Sequence, residues 1–157
     1  MIVVADTSPL LHLARIGRLE LVAAAIGPVL VPRTVWSELI QPGTRAEVVD
    51  SLRAAAWIEV RDDPASVDLG LDPGETASIL LAEELSADAL LIDERRGRSV
   101  AAGRGIAVIG TLGILAGAKR AGAVDRVAPL IAELQADGFW LAPALVEALL
   151  RGLGEEP

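Results

Sequence analysis

Apolar runs of three or four residues recur along the chain and alternate with longer helical stretches. Ile2 to Ala5, Val29 to Val31, Trp57 to Val60, Ala89 to Ile92 and Ile106 to Ile109 are the strand candidates. Strands separated by helices predict an α/β fold with a central parallel sheet. Helix boundaries are marked by capping residues, proline and glycine. Ser8 offers a capping hydroxyl before Pro9, and Gly17 separates helix Ser8 to Ile16 from helix Leu19 to Ala25. Pro32 opens a helix carrying Trp36 and Glu38, which Pro42-Gly43 ends, and Thr44 to Ala56 is a further helix. Arg61 to Leu71 contains Asp62-Asp63-Pro64 and Gly70 without an apolar period, so it reads as a surface loop. Asp72, Pro73 and Glu75 then have the spacing of a capping box ahead of the apolar helix Thr76 to Ala82. Thr111 to Ala121, Arg126 to Asp137 and Pro143 to Leu150 read as helices, and Gly152 to Pro157 as a frayed tail.

Composition narrows the class. The chain has 157 residues, is 52% hydrophobic and only 3% aromatic, which fits one domain with a core of Ala, Leu, Val and Ile. No apolar stretch approaches the roughly 20 residues of a membrane span, and Asp6 interrupts the apolar opening too soon for a secretory signal. A cytoplasmic protein without membrane contact is therefore expected. With no cysteine and a single histidine, His12, any metal must be held by oxygen, and Ser-His catalysis is disfavoured. The net charge of -8, from 22 acidic and 14 basic residues, argues against general adhesion to nucleic acid. A local basic patch is still available, because Arg95, Arg96, Arg98 and Arg104 follow closely after Asp93. The guanidinium fork suits phosphate, although the same run also fits a solvated helix face.

Carboxylates stand where a parallel sheet would gather them. Asp6 ends the first apolar run and Asp93 the fourth, so both belong at the carboxyl edge, where open α/β sheets place their ligands. Glu38 and Glu75 ride or open the helices between. Such a cluster repels itself unless protons or a divalent cation neutralise it. Each residue also has a plainer role: Asp6 and Asp93 as helix caps, Glu38 as a surface glutamate and Glu75 as half of the capping box. Thr7 can bond Asp6, a metal-bound water or backbone. His12 reads as a packed imidazole, and Trp36, Trp57 and Trp140 as packing residues that could otherwise stack bases.

Val4-Ala5-Asp6-Thr7-Ser8-Pro9-Leu10, Val31-Pro32-Arg33-Thr34-Val35-Trp36-Ser37-Glu38-Leu39, Gly74-Glu75 and Leu90-Leu91-Ile92-Asp93-Glu94-Arg95 together resemble the motifs of PIN-domain proteins. Gly110-Thr111-Leu112-Gly113-Ile114-Leu115 and Ala118-Lys119-Arg120 extend the resemblance to about Gly122, towards a prokaryotic subfamily related to the VapC-type toxins. It implies a three-layer α/β/α sandwich, with Asp6, Glu38, Glu75 and Asp93 as catalytic and metal-binding acids. It also implies Mg²⁺- or Mn²⁺-dependent cleavage of RNA, a homodimer and, for the toxins, a small antitoxin partner. Two positions depart from the commonest toxin pattern. The third acid is Glu75 instead of aspartate, and Asp93 follows Leu91-Ile92 instead of a Thr/Ser-x segment.

The chemistry of phosphodiester hydrolysis suits this set. A divalent ion lowers the pKa of the attacking water and neutralises charge on the phosphorane. Asp6 and Asp93 are expected to hold the ion, with Glu38 and Glu75 acting through its waters, and Thr7, Arg95 and Arg96 near the substrate. Water attack leaves a 5′-phosphate and a 3′-hydroxyl. Two other classes fit less of the sequence. One is a PIN-fold module that binds RNA or protein without cutting. The other is a different Mg²⁺-dependent phosphoryl hydrolase, for which the phosphate-cradling glycine motif and the Asp-x-Asp pattern are missing.

Overall fold

A computed structural model describes residues 1–156. Five parallel strands form the sheet: β1 (Val3–Ala5), β2 (Val29–Pro32), β3 (Ile58–Arg61), β4 (Ala89–Leu91) and β5 (Val108–Ile109), in the order β3-β2-β1-β4-β5. The chain winds outward from β1 through β2 to β3, then returns to the other side of β1 for β4 and β5. The order therefore reverses between β1 and β4, and a crevice opens at the carboxyl ends of strands at such a point.

Helices cover both faces. Leu10 and Leu13 of α1 (Thr7–Arg15), Leu21 and Val22 of α2 (Glu20–Ile26), Val35 and Leu39 of α3 (Arg33–Leu39), and Val48 and Leu52 of α4 (Ala46–Ala54) join the larger core. So do Ile114 and Leu115 of α7 (Thr111–Arg120), Leu130 of α8 (Ala128–Ala136) and Leu150 of α9 (Pro143–Gly152). The smaller core lies on the opposite face, where Ile79 and Leu81 of α5 (Pro73–Glu84) and Ala101 of α6 (Arg95–Gly103) meet Val4, Leu90 and Ile92. Side chains alternate along each strand, so Val3, Ala5, Ala89 and Leu91 serve the first core while Val4, Leu90 and Ile92 serve the second. Among the described residues, no helix is long and apolar enough to cross a membrane.

Several local expectations are corrected. Ser8 does not cap α1; the cap position is Asp6, in extended backbone, and its side chain makes no capping bond. The plainer role weighed for Asp93, a cap on α6, is not what it does, since the cap position is Glu94. Nor is the expected tail frayed as far as Glu156; Pro157 lies outside the described residues. Glu155 is buried, and its carboxylate accepts the N–H groups of Val127 and Ala128 at the start of α8, at 2.8 and 3.0 Å, and the Lys119 ammonium of α7 at 2.9 Å. Lys119 also donates to the Leu153 carbonyl at 3.0 Å. These charge-assisted bonds tie Glu155 to the start of α8 and to α7.

Candidate functional site

Strand register puts the first and fourth acids beside each other at the carboxyl edge. Ala5 pairs with Leu91, and the Asp6 N–H donates to the Leu91 carbonyl at 2.8 Å, so Asp6 lies level with Ile92 and Asp93 one position beyond. The same alternation that builds two cores then turns these acids to different faces. Asp6 faces α5 with Ile92, whereas Asp93 turns towards α7.

Asp6 is almost wholly enclosed, at 3% exposure. Among the described residues its one side-chain donor, the Ser78 hydroxyl, stands at 3.4 Å and bonds the Gly74 carbonyl more closely, at 2.8 Å. A hydroxyl has one proton, so Asp6 receives little of it. Burial pushes the Asp6 carboxyl up to about 7, and the negative charges of Asp72 and Glu38 add to the rise against the partial relief of the Thr7 N–H. Glu75, in the first turn of α5, is also buried and its carboxyl is raised. Desolvation comes first there, followed by a hydrogen bond shared with the Asp72 carboxyl and by the charges of Asp72, Asp6 and Glu94. Asp72 caps α5 as the sequence indicates, accepting the Glu75 N–H at 2.8 Å. Reading it as a cap alone missed its second role as a fifth charge in the cluster.

Glu38 enters from α3. Thr7 donates to its Oε2 at 2.6 Å, which gives Thr7 a different partner from those expected and fixes the glutamate towards Asp6. Beyond it lies an open depression of about 560 Å³ bounded by Arg33, Ser37 and Gln41. Three glycines give the acids room. A Cβ on Gly74 would stand 2.7 Å from both Glu38 carboxylate oxygens, one on Gly97 2.9 Å from Glu75 Oε2, and one on Gly110 3.0 Å from Asp93 Oδ1. None of the three has a positive φ, so proximity and not backbone conformation selects glycine here. Gly74 and Gly110 fall inside the resemblance motifs, yet nothing in their spacing identifies them as neighbours of the acids.

Asp93 is held by α7. The Thr111 N–H donates to Oδ1 at 2.8 Å and its hydroxyl to Oδ2 at 2.7 Å. The hydroxyl absent from the residues just before Asp93 is thus supplied by Thr111, the first residue of α7. Arg98 spans to the Ile92 carbonyl at 2.9 Å. Arg96 is spent on structure, donating to the Gly70 carbonyl at 2.9 Å and tying down the 61–71 loop. Arg95 lines a groove of about 1100 Å³ together with Asp93. His12 lies in that groove too, half-buried against Phe139 with ring centroids 4.2 Å apart. Burial lowers its pKa, so the imidazole is neutral at pH 7.

Asp6, Glu38 and Glu75 thus share one electrostatic neighbourhood with Asp72, while Asp93 stands on the flank beside Thr111. Among the described residues, no three acids or histidines are arranged as a finished metal cage. The donor set nevertheless fits a divalent ion. It is all oxygen, it carries excess negative charge, and its most buried member lacks a firm side-chain hydrogen-bond donor.

A family model described as the PIN domain matches residues 2–155. Among solved structures, a PilT N-terminus domain protein from the hyperthermophilic archaeon Sulfolobus solfataricus P2 is similar in fold, with a TM-score of 0.56 at 20% identity. The alignment covers 75% of this chain and 93% of that one. No curated protein matches. Matched over nearly its whole length, and carrying acids at the switch point of a five-stranded parallel sheet, the chain belongs to the PIN-domain family, whose members are typically metal-dependent nucleases.

Proposed function

We propose that this protein is a Mg²⁺- or Mn²⁺-dependent endoribonuclease that works from the cytoplasm, with Asp6, Glu38, Glu75 and Asp93 as its acids. The observation that carries the reading is Asp6, a buried carboxylate at the sheet's carboxyl edge with like charges around it and, besides the Thr7 N–H, only a marginal side-chain donor. A cation is the partner that relieves all three conditions at once. A bound divalent ion would supply charge neutralisation at the scissile phosphate and a more acidic water.

The chain's own groups then divide the work. Asp6 and Glu75 would hold the ion from the α5 side of the sheet, with Asp72 close by. Glu38, oriented by Thr7, is the carboxylate best placed to orient or deprotonate the attacking water. Asp93 has one oxygen on the Thr111 hydroxyl and the other on its N–H, which leaves lone pairs to approach the ion from the other flank. Arg95, at the mouth of the groove, offers a fork to a flanking phosphate.

Cleavage of single-stranded RNA in Mn²⁺ or Mg²⁺ tests the reading. Asp6→Asn should lower the rate by about 100-fold or more while the protein remains folded, and the products should carry 5′-phosphates. Wild-type rates in Asp6→Asn would refute the assignment. A homodimer and a small antitoxin are the partners that the toxin-like version of this reading entails; copurification of a small protein encoded beside this chain would support that version.

A further inference from the structure

We infer that the groove beside Asp93 is a nucleobase subsite, in which Trp140 stacks on an unpaired base of a single strand whose scissile phosphate lies at the acids. This deepens the nuclease reading and rests on it for the position of that phosphate.

Trp140 is 78% exposed in a chain with only three tryptophans and one phenylalanine. Trp36 and Trp57 pack against the larger core, as does Phe139, but Trp140 does not join it. Packing therefore leaves this indole unexplained. Its position is not arbitrary, because one groove of about 1100 Å³ runs from Asp93 and Arg95 past His12 to Phe139 and Trp140. The volume exceeds what a single small molecule of ordinary size fills, roughly 300–1,000 Å³.

Chemistry changes along the groove in the way a nucleotide does. Asp93, Glu94, Arg95 and Arg98 stand at one end, and Arg95, whose guanidinium has no partner among the described residues, is the fork that a phosphate chain beside a metal-bound phosphate would meet there. The other end is apolar and aromatic, with His12 neutral and its ring tilted 38° against Phe139. An anionic backbone with a flat, apolar base attached matches both ends at once. A duplex keeps its bases stacked inside and cannot present one to Trp140, so the geometry selects single strands. Stacking accepts any base, which predicts weak sequence preference at this position.

Binding is measured by fluorescence anisotropy with a labelled single-stranded RNA of about 12 nucleotides in EDTA, against the same sequence as a duplex. Trp140→Ala should weaken single-strand binding about tenfold or more, and Trp140→Phe by no more than about threefold. RNA should also quench the wild-type tryptophan emission, and Trp140→Phe should abolish that quench. Because Trp140 is exposed, both variants should melt like wild type. Equal RNA affinity in Trp140→Ala, or tighter binding of the duplex, would overturn the inference. A change confined to self-association in light scattering would overturn it as well and would give the groove to a second copy. The two readings fail separately. Loss of binding in Trp140→Ala with no metal-dependent cleavage by wild type keeps the subsite and rejects the nuclease. Cleavage by Trp140→Ala at the wild-type KM rejects the subsite and keeps the nuclease.

Discussion

Gly74 faces the end of a flexible side chain, and that makes it a sensitive probe of the site. A methyl group there would overlap both Glu38 oxygens at 2.7 Å, and Glu38 can swing away at little cost to the fold. Gly74→Ala should therefore leave the melting temperature nearly unchanged and reduce metal-dependent cleavage by about 100-fold, the scale of a misplacement near 1 Å. Rates and melts measured on the same preparation check this, and an unaffected rate would remove Glu38 from the mechanism. Gly97 is a harsher position, because a Cβ there would also meet Ile92 Cδ1 at 2.6 Å inside the smaller core. There, loss of activity could not be separated from loss of packing.

Among the elements, the clasp at Glu155 joins α7, α8 and the end of α9. Burial opposes its charge, but the N–H groups of Val127 and Ala128 and the Lys119 ammonium overcome that cost and hold the carboxyl down to about 2. Its stabilisation is complete above the ordinary value of 4.5 and is lost as the pH falls from there towards 2. Glu155→Gln should cost about 2 kcal/mol at pH 7 in urea denaturation, and the difference from wild type should shrink below pH 4. Most elements were legible beforehand because apolar runs, prolines and caps are local signals; Asp72-Pro73 at the start of α5 is the clearest case. The clasp was not, since Glu155 and Val127 are distant in sequence and a Gly-rich, acidic ending looks solvated. The capping error at Ser8 has the same source. A hydroxyl or carboxylate near a helix start has several partners in reach, and tertiary structure chooses between them.

For the whole molecule, the raised acids link stability to pH and to metal. Between about 4 and 7 an unfolded chain has released the Asp6 proton that the folded, metal-free protein still holds, so stability falls as the pH rises through that window. Metal-free Asp6→Asn should consequently be more stable than wild type at pH 8, by a few kcal/mol at most. Mn²⁺ should raise the melting temperature of wild type but not of the variant. Thermal melts with and without metal at pH 5 and 8 test both statements. The sequence singled out the four acids, two from strand ends and two through the resemblance, because carboxylates after apolar runs are a local pattern. It did not reveal that alternation along β4 turns Asp93 away from Asp6, nor that Thr111 waits there to receive it. Those depend on strand register and on a helix about 18 residues further along the chain. That helix, α7, has ten residues, or about 15 Å, with Asp93 gripping its first residue and Glu155 the lysine near its last turn. It is held at both ends by carboxylates, one in the site and one near the end of the chain. If the two anchors are coupled through the helix, Glu155→Gln should speed amide exchange at Thr111; unchanged exchange there would show that the site holds its acid independently of the far anchor.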